Sequence, residues 1–325
     1  MENAICKEIN KMQTFCTIIT ADYLPFAKVL HASLQKQVPG TLLQVLVVDK
    51  NYSASTESFT IYSMDSIINS LLAKQIEKKY AYSNTDHFRW ALKPVFIGYL
   101  LQNGFSKVLF ADPDLYFVND FTFLFNELNR NNILLTPHWP NRNPIENENS
   151  LFAVLRGGLF NAGYIGVNNK GTAAVNWWAE MCHYKIENRR ELGLYDDQKY
   201  LDLLPILFEG VHIIKHQGCN LASWNIDACK REIINGKLII NKVYEPVFIH
   251  FAKDTITNIL NRNDALLKPY LDEYIRALLN ENFDLLKTLD NPDPEKYNSL
   301  LYSIKHKLRL RTRIKRFFYK LAEKL

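Results

Sequence analysis

Short apolar runs of β-forming residues, separated by stretches with helical spacing, constrain this chain more than any other feature. Thr14–Thr20 is β-rich and apolar. Pro25 suits the first turn of a helix that ends before Pro39–Gly40, and Leu42–Asp49 reads as a second buried strand terminating in an acid. A helix through Phe88–Gln102 stops at Asn103–Gly104, and another apolar run follows from Lys107. Ile133–Thr136 and Tyr164–Val167 read as further strands, with the polar Pro/Asn-rich segment Pro137–Asn149 as a loop between them. Such alternation predicts an α/β fold on a mostly parallel sheet with helices on both faces. After about residue 255 the pattern is wholly helical, and Asp290–Asn291–Pro292–Asp293–Pro294 separates a last helix from the rest. No internal repeat or low-complexity segment is present.

The run from Lys107 carries the chemistry. Lys107–Phe117 is apolar enough for a buried strand, yet it breaks into two carboxylates, Asp112 and Asp114, one residue apart. In an extended segment alternate side chains point the same way, so the spacing predicts that the two converge. Ionised carboxylates that close repel unless a cation sits between them. Hard oxygen ligands suit Mg²⁺ or Mn²⁺, often with substrate phosphates. A divalent metal holding a diphosphate at the carboxyl end of a strand is the site expected. Asp293–Pro294–Glu295 has similar chemistry but sits inside Asn-Pro-Asp-Pro punctuation, and reads as a solvated linker.

Composition narrows the setting. Hydrophobic residues make up 47% and charged residues 22%, which is globular rather than disordered. The five cysteines form no Cys-x-x-Cys pair and fit reduced thiols in a cytosolic protein. No apolar run approaches the roughly 18 residues of a spanning helix, and the start lacks the apolar core of a signal peptide. The net charge of +5 is unevenly placed: residues 301–325 hold nine Lys/Arg against one acid, so the remainder is mildly acidic. A nucleic-acid surface over the body is therefore not expected. In 301–325, Ile304, Leu308, Ile314, Phe317, Phe318, Leu321 and Leu325 recur mostly three or four apart among the bases. That pattern predicts a basic amphipathic helix, either attaching to the anionic inner face of the cell membrane or packed on the core with a solvated basic face.

Seven stretches, taken in order, resemble one family. They are Thr20–Tyr23, Trp90–Pro94, Phe110–Asp114, Leu155–Val167, Asp196–Asp202, Gly218–Asn225 and Ile249–Lys253. Together they resemble the GT-A glycosyltransferases, whose fold is Rossmann-like, and in particular bacterial enzymes close to glycosyltransferase family 8. The resemblance runs from about residue 14 to 255. It implies a nucleotide-diphospho-sugar transferase domain over 1–255 and a helical C-terminal extension over 256–325.

The resemblance also assigns roles. Thr20, Ala21, Asp22 and Tyr23 would hold the nucleotide base and ribose, with Asp49 assisting. Asp112, Asp114 and His250 would ligate Mn²⁺ or Mg²⁺, and Lys253 would neutralise the diphosphate, although Ala252 stands where the family pattern usually has Gly. Lys93, Asn161, Gly163, Asp197 and Gln198 would meet the donor sugar, with Asp197 orienting it and Gln198 beneath its anomeric carbon. The bland alternatives are a surface Lys93, a turn at Asn161–Gly163 and a helix cap at Asp197–Gln198. The expected activity is metal-dependent transfer of a sugar, UDP-linked foremost, to a glycan or lipid-linked acceptor in cell-surface polysaccharide assembly. Retention is expected, by front-face substitution; an inverting enzyme would draw its base from Asp196, Asp197 or Asp202. Two rivals are a sugar-1-phosphate nucleotidyltransferase, which normally has a Gly-rich loop that Thr20–Pro25 lacks, and a non-catalytic sugar- or membrane-binding protein.

Overall fold

The computed structural model describes residues 13–68 and 70–290. Two compact units divide the chain, one ending at Glu281 and the other beginning at Asn282. Ten strands of the first unit frame the region where the motif residues lie: β1 (Gln13–Ile19), β2 (Leu43–Val47), β3 (Ala54–Ser55), β4 (Phe59–Ser63), β5 (Lys107–Ala111), β6 (Leu115–Phe117), β7 (Ile133–Pro137), β8 (Phe160–Asn168), β9 (Val211–Ile213) and β10 (Phe248–His250). Eight of them form one sheet in the order β9–β7–β8–β5–β1–β2–β4–β3, while β6 and β10 pair separately.

The sheet is parallel across β5, β1, β2 and β4 and again between β7 and β9. Its short edge strand β3 is antiparallel to β4, and β8 runs against both β5 and β7. The chain leaves β7 at the carboxyl edge of the sheet, passes through a loop and helix α4 (Glu148–Gly157), and re-enters from that same edge. Re-entry from the same side requires the reversed direction. As a result the start of β8 lies beside the end of β5, with Ala111 opposite Tyr164.

Helices cover both faces, as the alternation predicts. The others of eight residues or more are α1 (Leu24–Gln37), α2 (Leu71–Tyr80), α3 (Thr85–Gln102), α5 (Thr172–Tyr184), α6 (Lys253–Leu260) and α7 (Lys268–Asn280). Pro25 lies in the first turn of α1. Ser70, Asn84 and Asn147 cap α2, α3 and α4 by accepting from backbone N–H groups three residues on, at 2.9–3.1 Å. One core joins the sheet to α3 and α5 through Phe96, Ile97, Trp178 and Cys182. The other packs Phe15, Phe117, Phe121, Phe125 and Phe248 on the opposite face. Phe15 meets three of these rings edge-on at 5.0–5.4 Å, each contact contributing about 0.5–1.5 kcal/mol beyond burial.

Beyond β10 the described residues form helices and turns only. In the second unit they comprise one short helix, Leu285–Asp290. The basic segment 301–325 lies outside the described residues. Among the described residues no helix is long and apolar enough to cross a membrane, and Cys16, Cys182, Cys219 and Cys229 are free and buried.

Candidate active site

Asp112, Asp114, His250, Lys93, Asn161 and Gly163 gather at the carboxyl edge of the sheet, where β1, β2, β5 and β7 end and β8 begins. Asp112 and Asp114 reach it differently from the strand alternation expected of them. Strand β5 stops at Ala111, and the Leu115 N–H bonds back to Asp112 O at 3.0 Å. That closes a β-turn with Asp first and Pro113 second, positions these residues favour because Asp accepts local bonds and Pro fixes φ. The turn is what brings the carboxylates together.

His250 joins them through the small β6–β10 pair. It lies opposite Leu115, and the Phe251 N–H donates to Asp114 O at 2.9 Å. Ligand atoms of Asp112, Asp114 and His250 all lie within 4.8 Å of one another. His250 Nε2 is 3.1 Å from Asp114 Oδ1. Its Nδ1 lies 3.3 Å from Oδ1 of Asn220, a buried residue at φ +61°. Such an outer partner fixes ring orientation. Burial alone would push His250 down, but Asp114 beside it holds it above its ordinary value. Asp114 is held below the carboxylate range, because His250 outweighs the opposing effect of burial. Two carboxylates and an imidazole form a donor set that fits Mn²⁺ or Mg²⁺.

Lys93 is buried, not a surface lysine. Its Nζ lies 3.2 Å from Asp112 Oδ1, 3.4 Å from Asp197 Oδ2, and 3.2 Å from the Ala162 carbonyl to which it donates. Burial is the largest influence and disfavours its charge, yet the two carboxylates raise its pKa above the ordinary value. Asp197 is pushed up to about 6 by burial, with Lys93 opposing. Apart from that ion pair, its buried Oδ2 has no hydrogen-bond partner. Nor does Asp197 cap the short helix Gln198–Leu203 that comes next. Asp202 is ion-paired with Lys199 at 2.7 Å and accepts from the Leu159 N–H, and Asp196 stands at φ +52°.

Asn161 and Gly163 lie within β8 rather than in a turn before it. Gly163 has a steric reason to be glycine. A Cβ there would stand 2.6 Å from His250 Cε1, 2.7 Å from Asn161 Oδ1 and 2.9 Å from Asp112 Oδ2. The backbone thus leaves room for three groups to converge. Gln198 Oε1 accepts from the Ala162 N–H at 3.0 Å and its Nε2 donates to Gly157 O at 2.8 Å. Asn161 and Gln198 line a cavity of about 280 Å³, together with His138, Arg190, Trp224 and Asp254. A larger cavity of about 400 Å³, bounded by Ser66, Pro94, Tyr99 and Asn176, holds none of the clustered acids.

The remaining motif residues are more dispersed. Thr20–Tyr23 comes directly after β1, and the Ala21 N–H donates to Asp49 Oδ1 at 2.8 Å, so Asp49 latches this loop. Asp22 is exposed, and Tyr23 stacks on Phe26 at 4.9 Å with Arg89 5.5 Å from its ring centre. Lys253 is exposed at the first residue of α6 and forms no ion pair among the described residues. Three site residues carry no role in the sequence reading: His138, Asn220 and Trp224. The last two fall inside Gly218–Asn225, whose likeness was visible without a function. His138 comes after a strand that ends at the same edge as β5, and that position was its only signal.

No family model matches the sequence. The chain is similar to two proteins of Bacillus subtilis (strain 168), both described as uncharacterized. YfnF is 23% identical over 290 residues, covering 85% of this chain and 94% of that one. YfnD is 32% identical over 173 residues, covering 51% and 53%. Among solved structures it is similar to mouse xyloside xylosyltransferase 1 in its apo form, at TM-score 0.45 and 14% identity over 75% of this chain and 98% of that one. It is also similar to the galactosyltransferase LgtC in complex with donor and acceptor sugar analogs, at 0.46 and 14% over 74% and 87%. A third is the glycosyltransferase GlyE of Streptococcus pneumoniae TIGR4, at 0.41 and 15% over 74% and 55%. At these scores the likeness assigns no activity to this chain.

Proposed function

We propose that this chain is a metal-dependent glycosyltransferase that moves a sugar from a nucleotide-diphosphate donor, UDP foremost, to a glycan or lipid-linked acceptor with retention. One observation carries the reading. Asp112, Asp114 and His250 converge at the carboxyl edge of the sheet, and Asn161, whose Oδ1 crowds the same Gly163 Cα, also lines the adjoining cavity. A cation-ligating cluster beside a cavity walled with amides suits a diphosphate joined to a sugar.

Asp112, Asp114 and His250 would hold Mn²⁺ or Mg²⁺, which supplies Lewis-acid stabilisation of the diphosphate. Lys93 fixes Asp112 from behind and compensates Asp197 in the same contact. Thr20–Tyr23 offers backbone groups and a ring to the nucleoside. Gln198 Oε1 already accepts from Ala162 N and Asn161 Nδ2, so neither lone pair is free for attack. That supports front-face substitution: the anomeric C–O bond to the diphosphate breaks, the acceptor oxygen bonds to the same face, and its proton leaves with the diphosphate oxygen. Gln198 then serves as a fixed dipole under the reacting centre.

The test is a panel of UDP-, GDP-, CMP- and dTDP-sugars with Mn²⁺, following nucleoside diphosphate release. Thermal stabilisation by each free nucleotide, with and without Mn²⁺, identifies the carrier. Mn²⁺-dependent release from one donor is the expected result. Formation of a nucleotide-sugar from sugar phosphate and triphosphate, or silence with every donor together with no stabilisation, would overturn it.

A further inference from the structure

His138 stands one residue beyond β7 and lies outside every motif assigned a role above. Its ring meets Trp224 edge-on at 5.7 Å, and Trp224 meets His250 at 5.2 Å. Nδ1 is 2.8 Å from Gly158 O. A carbonyl only accepts, so Nδ1 carries the proton. That carbonyl is presented by a glycine at φ +122°, a conformation other residues rarely adopt. Burial lowers the imidazole to about 4, so near neutral pH the ring is uncharged and Nε2 is bare. Asn161 Nδ2, 3.3 Å away, therefore donates to it.

The amide orientations are fixed independently by backbone partners. Asn161 Oδ1 accepts the Gly163 N–H at 3.0 Å, and its Nδ2 also faces Gln198 Oε1 at 3.4 Å. Gln198 Oε1 accepts from Ala162 N while its Nε2 donates to Gly157 O. Asn161 has thus used both N–H bonds and keeps one lone pair on Oδ1. Gln198 has used both lone pairs and keeps one N–H.

We propose that His138 is a positioning residue for this cavity wall: by taking the second N–H of Asn161 it makes that amide acceptor-only, beside a Gln198 that its own partners already leave donor-only. The sugar accepted must then present a hydroxyl or amide N–H that donates to Asn161, with an acceptor oxygen in reach of Gln198. This selectivity rests on reading the cavity as the sugar site. Were His138 protonated on Nε2, it would donate, and Asn161 would have to flip and lose its bond from Gly163.

Two measurements on the full chain test it. Long-range ¹H–¹⁵N spectra of histidine-labelled protein should show His138 as the Nδ1–H tautomer, titrating well below the ordinary 6.5. An Nε2–H tautomer, or a midpoint near 6.5, overturns the proposal whether or not any donor is turned over. The second uses UDP-glucose and UDP-galactose with each sugar hydroxyl replaced in turn by fluorine, which accepts but does not donate. At one position fluorine should raise KM about tenfold or more in the wild type, the value of one hydrogen bond. His138→Phe should reduce that ratio below about threefold, because an Asn161 N–H is released. His138→Gln, whose amide oxygen can accept, should restore it, with UDP affinity in Mn²⁺ unchanged throughout. Equal fluorine discrimination in wild type and His138→Phe overturns the assignment. Absence of turnover by the wild type with every donor would instead count against the transferase reading, and the tautomer would still decide the polarity of the wall.

Discussion

Removing the Lys93 ammonium would leave Asp112 and Asp197 facing each other without a countercharge, one of them almost fully buried. Stripping one partner from a buried ion pair typically costs about 3–5 kcal/mol. Lys93→Met should therefore lower the unfolding free energy obtained from urea titration by that order, and an unchanged value would mean that Asp197 is already neutral. Asp112→Asn and Asp114→Asn should leave the fold intact, since both side chains are partly exposed, but reduce sugar transfer roughly 100-fold or more by removing charge from the cation site. Circular dichroism and donor turnover, measured together, check this pair; full activity in EDTA would also defeat it. His138 contributes a pH dependence of its own, beside those of Asp197 and His250, whose pKa values are raised. Its folded pKa lies near 4 and its ordinary value is 6.5, so below 6.5 the unfolded chain binds a proton that the native state does not. Stability from this group is complete above 6.5 and declines as pH falls towards 4. The Tm of the wild type should consequently fall more steeply over that window than the Tm of His138→Phe.

At the level of elements, the sheet order and the reversal of β8 decide which side chains meet. The strand–helix alternation was legible because apolar runs of β-branched residues and capped helices leave local signals. The direction of β8 was not, since Tyr164–Val167 reads alike in either orientation and only the side of re-entry settles it. Likewise the Asp112–Asp114 spacing pointed to convergence, but through alternation; Pro113 was the sign of a turn. Lys93 and Asp197 form an ion pair and Asn161 hydrogen-bonds Gln198 and Gly163, so these residues lie close together, whereas His138 was hidden because a lone His after an apolar strand has many ordinary explanations. The β8–Gln198 contact yields a prediction at this scale. Gln198→Ala breaks bonds to Ala162 and Gly157 and removes the dipole at the cavity wall. Turnover should fall more than donor affinity, by about ten- to a hundredfold in kcat, because the support is greatest in the transition state. A rise in KM with kcat unchanged would reduce Gln198 to a binding contact.

Across the whole molecule, charge is the most uneven property. Nine of the chain's 39 Lys/Arg fall in residues 301–325 with a single acid, while the other 300 residues are net acidic. A chain of this kind has an electrostatic reason to meet an anionic surface through the basic segment and to turn its acidic body away. Each Lys/Arg close to an anionic bilayer contributes about 1 kcal/mol before ordering losses, and the interleaved Ile, Leu and Phe residues add apolar burial. Attachment would bring the proposed transferase to lipid-linked acceptors. The experiment is co-sedimentation with vesicles containing about one-third anionic lipid, using the full chain and a variant ending at residue 300. The full chain should bind at low salt and release as ionic strength shortens the Debye length below about 10 Å, while the shortened chain stays in solution. Equal binding by both, or binding by neither at low salt, would leave the basic segment without a role at the membrane.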